Sequence, residues 1–488
     1  MTIQAPSSKP STRRRSLAAG CWLVVILLGF VLCTRAIAAD GAQHPNVVFI
    51  LADDWGWGDL GCHGNKLVDT PNLDRLAREG TEFYQFNVGS PVCSPSRTAF
   101  MTGNFPARFS IHEAIGALAK NREVQQVDWL DPRAVTLPRL LQQAGYVTGH
   151  FGKWHLCSGQ AGEAPMPAAY GVGEHGLFAG TAPPAAKTIE SHHHVFDAAT
   201  AFIRAHKDGP FYLNLWIHET HLAHMPTEES FKRYAKLGEQ QRVYSAVVAD
   251  GDNGIGKVLG ALKELGLEQN TLVIFSSDNG PENTGRDKES RGELRGGYGG
   301  YYSVGSTGGS RGRKRSLYEG GVRLPFIVRW PGHVPAGNVN KTTSVASVDL
   351  LPTMCAAVGV RLPDGYKPDG ENMLPALLGG ENQRTKPIFW DWRGKDTPAD
   401  CWPRWAVRDG DWKLVTDNGR RAELYHSPDD WAEARNVAKE NPEIVTKLSA
   451  ELAAWKASLP KEPAKEFISK GGRGKGRNKA AAQKKADE

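Results

Sequence analysis

The chain has 488 residues, 40% hydrophobic and 23% charged, with 54 glycines and 30 prolines. It can bury a large core and still carry long loops, so a large globular enzyme is the default. The net charge of +6 is inflated by the basic N-terminal stretch and the basic C-terminal tail, and so does not argue for a nucleic-acid partner.

The N-terminal stretch "STRRRSLAAGCWLVVILLGFVLCTRAIAAD" has a basic start, a short apolar run and the small-residue site Ala36-Ile37-Ala38. That is the layout of a cleavable secretory signal over residues 1–39, with an uncleaved anchor as the alternative; the arginines also fit a twin-arginine signal. No other segment is apolar enough to cross a membrane, so no stable insertion is expected after signal removal, and the mature protein is expected to be secreted or periplasmic. Five cysteines then remain, Cys62, Cys93, Cys157, Cys355 and Cys401. An odd number in a disulfide-permissive compartment means at least one unpaired or altered thiol. Two bridges plus Cys93, or no bridge, both fit.

Four runs, "NVVFILADD", "GYVTGHFGKWHL", "FYLNLWIHETH" and "TLVIFSSDNG", begin as apolar strands without polar alternation and end in ionisable residues. Lack of alternation is the mark of a sheet covered on both faces. Helical stretches such as "TPNLDRLAREG", closed by Gly80, and "GDNGIGKVLGALKELG" lie between them. The predicted fold is α/β, a large mostly parallel sheet sandwiched by helices, with ligands bound outside the carboxyl ends of the strands. Residues 282–314 are Gly-rich and charged and read as a long functional surface loop. After about Pro375, "KPIFWDWRG", "RWAVRDGDWKLVTD" and "AELYH" read as short strands and "NPEIVTKLSAELAAWKASL" as a closing helix. The expected domains are a catalytic domain over 40–375, a smaller α+β subdomain with a short antiparallel sheet over 376–460, and a disordered basic tail over 461–488.

Asp53 with Asp54, and Asp278 with Asn279, stand side by side just past two of these strands. Three carboxylates and an amide oxygen form a hard, oxygen-rich cage suited to Ca²⁺ or Mg²⁺; Asp-Asn and Asn-Gly are equally ordinary turn formers. Two other stretches are weaker. In "ADGDNGIG", Gly254 stands where a calcium loop needs an oxygen ligand, and the run His192 to His194 reads as a surface loop. In "SPVCSPSRTAF", Cys93 sits where a helix starts, with Arg97 one turn on. That is an anion-binding corner with a potentially activated thiol.

"CSPSRTAFMTGN" resembles the signature of the type I sulfatases, of the alkaline phosphatase-like superfamily, in which the cysteine of C-x-P-x-R becomes Cα-formylglycine. "PNVVFILADDWGWGDLGCHGN", "GYVTGHFGKWHL", "SSDNG", "LYEGGVRLPFIVRWPG" and the C-terminal "ELYHSPDDWAEARNVA" extend the resemblance over most of the mature chain. It implies one Ca²⁺ held by Asp53, Asp54, Asp278, Asn279 and the oxidised Cys93. Arg97 would hold the formylglycine hydrate, Lys153 and His155 would contact it and the sulfate, and His218 would face the ester. Lys314 would match the lysine before the Glu-Gly-Gly turn, although Arg311, Arg313 and Arg315 crowd it. His221 follows Thr220, where the family often has a proline, and would touch either the substrate or the residues that contact it.

The implied reaction is sulfate-ester hydrolysis: one hydroxyl of the hydrate attacks sulfur and the other, once deprotonated, expels sulfate. His218 or Lys314 would protonate the leaving alcohol and His155 would take the releasing proton. The implied partners are a sulfated carbohydrate or small sulfate ester and a formylglycine-generating maturation enzyme. Trp390, Trp392, Arg393, Trp402 and Arg404 are candidates for stacking on an anionic glycan, or equally for core. A phosphodiesterase or phosphonate monoester hydrolase on the same scaffold, and a non-catalytic calcium-stabilised glycan-binding protein, are the alternatives.

Overall fold

A computed structural model describes residues 44–189, 191–285, 289–394, 402–417 and 420–470. The signal-like stretch over 1–39, Cys401 and the tail from 471 lie outside the described residues. The strands of the main body are β1 Asn46–Ala52, β2 Thr81–Asn87, β3 Val147–Gly152, β4 Glu174–Leu177, β5 Phe211–Trp216 and β6 Thr271–Ser277. The short pair β7 Glu293–Leu294 and β8 Gly297–Tyr298, and then β9 Phe326–Arg329 and β10 Asn338–Ala346, follow. All but β7 and β8 form one eight-stranded sheet in the order β10-β2-β9-β6-β1-β5-β3-β4. It is parallel except where β9 runs antiparallel to β2 and β6. The four runs singled out in the sequence are thus β6, β1, β5 and β3, adjacent and parallel.

Register brings their ends together. Ala52 pairs with Ser277, and Leu51 and Gly152 both pair with Trp216. The ladder continues one step past the strands through Asp278 N–H to the Ala52 carbonyl (3.0 Å) and Lys153 N–H to the Trp216 carbonyl (2.9 Å). Only glycine fits at Gly152, whose φ is +114° and where a Cβ would lie 1.9 Å from the Trp216 carbonyl oxygen. That close approach turns the chain so that Lys153 enters the rim.

Both sheet faces are covered. Helices Pro71–Arg78, His194–Ala205 and Glu239–Glu264 pack on one, and Cys93–Thr102 and Leu350–Ala357 on the other. The calcium-loop look-alike is helix: Asp252, inside Glu239–Glu264, accepts from the backbone N–H groups of Asn72 (3.1 Å) and Leu73 (2.9 Å). It caps the helix Pro71–Arg78, whose own Thr70 makes no side-chain cap.

The C-terminal strands β11 Ile388–Asp391, β12 Trp405–Asp409, β13 Trp412–Thr416 and β14 Ala422–His426 form an antiparallel sheet in sequence order, with helix Pro442–Ala457 beside it. Trp390 and Trp392 are core residues, 1% and 3% exposed. Their indole N–H groups donate to the Val88 carbonyl (2.7 Å) and to Glu113 (3.0 Å). They offer no face to a glycan, and Arg393 is tied to Asp391 (3.0 Å).

The segment 282–314 is not structureless: β7 and β8 lie in it, and Tyr298 bridges His224. The described chain also runs ten residues into the segment expected as tail, where Ser469 N–H donates to Asp128 (2.7 Å). Among the described cysteines Cys62, Cys93, Cys157 and Cys355 are all free, which removes the two-bridge arrangement. No helix among the described residues is long and apolar enough to cross a membrane.

Candidate active site

Asp53 and Asp54 leave β1, Asp278 and Asn279 leave β6, Lys153 leaves β3 and His218 leaves β5, so the sheet itself delivers them to one rim. Cys93 opens the helix Cys93–Thr102, whose N-terminus points backbone donors at the same rim. Its Sγ lies 3.5 Å from Asp53 Oδ1 and 3.3 Å from Lys153 Nζ.

One ligand atom each of Asp53, Asp54, Cys93 and Asp278 lies within 4.8 Å of all the others. The three carboxylates and Asn279 are fully buried. The Asn279 amide donates to Asp54 Oδ1 (2.6 Å) and the Gly280 carbonyl (2.9 Å), while its Oδ1, also buried, has no hydrogen-bond partner. An orphaned oxygen among three acceptor-only carboxylates fits a hard dication. Asp54 is held at φ +66° to turn its carboxylate inward.

A buried, unpaired ion costs several kcal/mol, so each carboxylate needs its cation. Arg97 donates from Nε (3.0 Å) and Nη2 (2.6 Å) to Asp278 Oδ2. Lys153 Nζ lies 2.6 Å from Asp53 Oδ2 and Lys314 Nζ 2.7 Å from Asp54 Oδ2. The competitors of Lys314 go elsewhere: Arg311 to Glu423 and Tyr425, Arg313 to the carbonyls of Glu282 and Gly305, Arg315 to Glu282. Glu282, three residues past Asn279, holds Lys314 at 3.2 Å. It carried no signal in the sequence beyond following a site strand.

Burial pushes Asp53 up, but Lys153, His221, His218 and Arg97 outweigh it and hold the carboxyl well below the usual range. Burial, opposed by Lys314 and reinforced by the other carboxylates, raises Asp54 to about 7. Burial also pushes the Cys93 thiol up, further than Lys153 and Lys314 pull it down. The helix N-terminus and Arg97 therefore do not make it a thiolate, contrary to the activated-thiol expectation.

The histidines divide by the atoms opposite them. His218 Nδ1 lies 2.5 Å from Asp53 Oδ2, and burial lowers the ring to about 3. A neutral ring facing an acceptor-only carboxylate carries its proton on Nδ1, so Nε2 presents a lone pair. His155 faces the Ile115 carbonyl with Nε2 (3.1 Å), leaving a buried Nδ1 without a partner. His221 stacks on His218 at 4.4 Å and reaches within 4.8 Å of both Asp53 and Cys93. Its place beside Cys93 brings it into the site, where the sequence left it as a further contact. His192, in the turn expected at the surface, is half-buried: its ring meets His218 at 4.9 Å and Phe178 at 5.1 Å, and burial lowers it to about 4.

A mostly parallel, helix-covered sheet with a carboxylate-amide cage at its carboxyl rim and cationic side chains around it defines an alkaline phosphatase-like hydrolase. The family profile described as Sulfatase matches residues 45–360, and that described as N-sulphoglucosamine sulphohydrolase, C-terminal, matches 312–458. The chain belongs to the sulfatase family and is a sulfuric ester hydrolase. It is 33% identical over 402 residues to N-acetylgalactosamine-6-sulfatase of Canis lupus familiaris, covering 74% of this chain and 71% of the relative. It is 29% identical to N-acetylgalactosamine-6-O-sulfatase of Bacteroides thetaiotaomicron, covering 89% and 98%. The crystal structure of Ps i-CgsB in complex with k-i-k-neocarrahexaose superposes with a TM-score of 0.71 at 27% identity, over 86% of this chain and 94% of that one.

Proposed function

We propose that the protein removes sulfate from a sulfated carbohydrate, using Cys93 converted to Cα-formylglycine and one bound calcium ion. The observation that carries this reading is the buried cell in which Cys93 touches both an oxygen cage and a lysine, Asp53 Oδ1 at 3.5 Å and Lys153 Nζ at 3.3 Å. A hydrolase that only needed a thiol would not bury it beside carboxylates. The carbohydrate preference rests on the relatives named N-acetylgalactosamine-6-sulfatase and on the saccharide in the Ps i-CgsB complex. The signal-like layout of residues 1–39 supports secretion or a periplasmic location, and a formylglycine-generating enzyme is the required partner.

Asp53, Asp54, Asp278 and Asn279 Oδ1 would hold the calcium. When bound, the ion acidifies a hydroxyl of the hydrated aldehyde for attack on sulfur and polarises the sulfuryl group, and the second hydroxyl on the same carbon allows sulfate to leave by elimination. Arg97 fixes Asp278 and, through Nη1 to the Lys153 carbonyl (3.0 Å), the turn that carries Lys153. Lys153 and Lys314 offset negative charge on the sulfuryl and leaving oxygens. His218 Nε2 and His155 Nδ1 present lone pairs, so these rings accept protons, and Lys314 Nζ is the donor to the departing alcohol.

Protein matured with the modifying enzyme is expected to release inorganic sulfate from sulfated oligosaccharides. In parallel assays it should turn over the matching phosphate monoesters and diesters far more slowly; faster phosphoryl than sulfuryl turnover would overturn the reading.

Metal binding should titrate with the cage. Asp54, raised to about 7, carries a proton that an incoming dication must displace. Calcium affinity is therefore expected to climb by about tenfold for each pH unit up to about 7 and to flatten above. For the metal-free protein the sign is opposite. The folded state keeps a proton that the unfolded chain has lost, so the contribution of Asp54 to stability is present below the ordinary carboxylate range and fades as pH rises to about 7. Calorimetric calcium titrations at several pH values check the first statement and urea midpoints without calcium the second.

A further inference from the structure

A second cluster of metal-ligating side chains lies away from the catalytic residues. Cys62 and His63 belong to the short turn Gly61–His63, and Glu82 is the second residue of β2. Sγ of Cys62, a ring nitrogen of His63 and a carboxylate oxygen of Glu82 all lie within 4.8 Å of one another. The cluster shares no residue with the cage around Cys93.

The imidazole is positioned from three sides. It stacks on Trp57 at 3.8 Å and 11°, meets the edge of Tyr84 at 5.6 Å, and sets Nδ1 2.6 Å from the Trp57 carbonyl oxygen. A carbonyl only accepts, so Nδ1 carries the hydrogen. In a neutral ring Nε2 is then a lone pair, and it lies 2.8 Å from Glu82 Oε2, another acceptor. Two acceptors at that distance need a cation between or beside them: a proton or a metal. An N–H donated to a backbone carbonyl is how a metal-bound histidine is commonly oriented.

The rest of the shell is acidic. Asp74 Oδ1 accepts from the Cys62 backbone N–H (2.8 Å) and the Thr70 hydroxyl (2.9 Å), and its carboxylate stands beside the Cys62 side chain with that of Glu82. Asp74 Oδ2 lies where a Cβ on residue 61 would be 2.4 Å away, so Gly61 makes the room. His63 also lines a surface cavity of about 330 Å³. A thiolate, an imidazole and a carboxylate are the borderline-soft set that suits zinc and not calcium.

We propose that Cys62, His63 and Glu82 bind one Zn²⁺, with solvent in the fourth position, and that the ion pins the turn after β1 to β2 while Asp74 of the helix Pro71–Arg78 holds the Cys62 backbone N–H. Binding converts the Cys62 thiol to a thiolate and releases its proton to solvent.

The test uses full-length protein in calcium-saturated buffer, stripped of transition metals and titrated with Co²⁺ as the probe. The expected result is one equivalent bound, a thiolate-to-cobalt charge-transfer band, and its loss on adding Zn²⁺. Cys93→Ala should keep the band and Cys62→Ser should abolish it. Glu82→Gln should weaken cobalt binding by at least the roughly 10–100-fold that loss of an outer-shell partner costs. A band that survives Cys62→Ser, or that disappears in Cys93→Ala, overturns the proposal. So does the absence of any band in the unsubstituted protein, which would leave His63 and Glu82 as an imidazolium-carboxylate pair.

Discussion

Replacing Cys93 with Ala is expected to lower sulfate release by about 10⁴-fold or more, the scale on which loss of a nucleophile acts. The same loss is expected for the unsubstituted chain made without a formylglycine-generating enzyme. Burial raises the Cys93 thiol well past the range in which it ionises at neutral pH, and Asp53 and Asp278 add to that. An unmodified Cys93 is therefore neither a thiolate nor, being a single S–H, able to expel sulfate by collapse. The fold should survive, because Cys93 is the first residue of its helix, and Ala99, Phe100 and Met101, which bury that helix in the core, are untouched. Calcium should still protect against heat, since Asp53, Asp54, Asp278 and Asn279 are untouched; at about 100 times Kd that protection is about 2.7 kcal/mol. Sulfate release, melting with and without calcium, and the mass of the Cys93 peptide decide the matter. Undiminished turnover in Cys93→Ala would mean that the nucleophile is another residue.

Replacing Arg97 with Met is expected to cost about 3–5 kcal/mol of stability in calcium-free buffer, the loss typical when one partner of a buried ion pair is removed. Arg97 is fully buried, and its Nε and Nη2 both end on Asp278 Oδ2. A methionine of similar length fills the space but leaves Asp278 ionised without its cation, or forces it to take up a proton. Pairing Arg97→Met with Asp278→Asn should recover most of the loss, because the double variant buries neither charge. Activity should stay absent in both, since one oxygen ligand of the cage has gone or lost its anchor. Urea midpoints across this double-mutant cycle read the coupling directly. Equal stability of Arg97→Met and the unsubstituted protein would show that the pair adds nothing to the fold.

Much of this was legible from residue types. β1, β5 and β6 are mostly apolar on both faces, β3 is a β-rich run although it holds Thr148 and His150, and the four end in Asp53, His218, Asp278 and Lys153, so the strands and the rim could be read together. Cys93 with Arg97 stood out because a helix start with Ser and Pro is a poor place for a core cysteine. The histidines were less legible. His192 reaches His218 from a segment that precedes its helix, and His221 reaches Cys93 from a loop, so neither position follows from periodicity. Lys314 could not be told from Arg311, Arg313 and Arg315 by letters; only the course of the loop sends one side chain to Asp54 and the others to Glu423 and Glu282. Trp390 and Trp392 were open between core and glycan platform, and their burial against Val88 and Glu113 decided for core.

What the sequence determined by itself was therefore the sheet, its rim, the placing of Asp53, Asp54, Asp278 and Asn279 at strand ends on that rim, and the helix that begins at Cys93. These depend on local patterns, because an apolar run and the residue that ends it are neighbours in the chain. The tertiary structure alone decided the protonation of Cys93, the partner of each cation, the histidines that reach the rim and the Cys62, His63 and Glu82 cluster. Those depend on burial and on distances between segments far apart in sequence, where desolvation of a charge and the nearness of a counter-charge are set by packing.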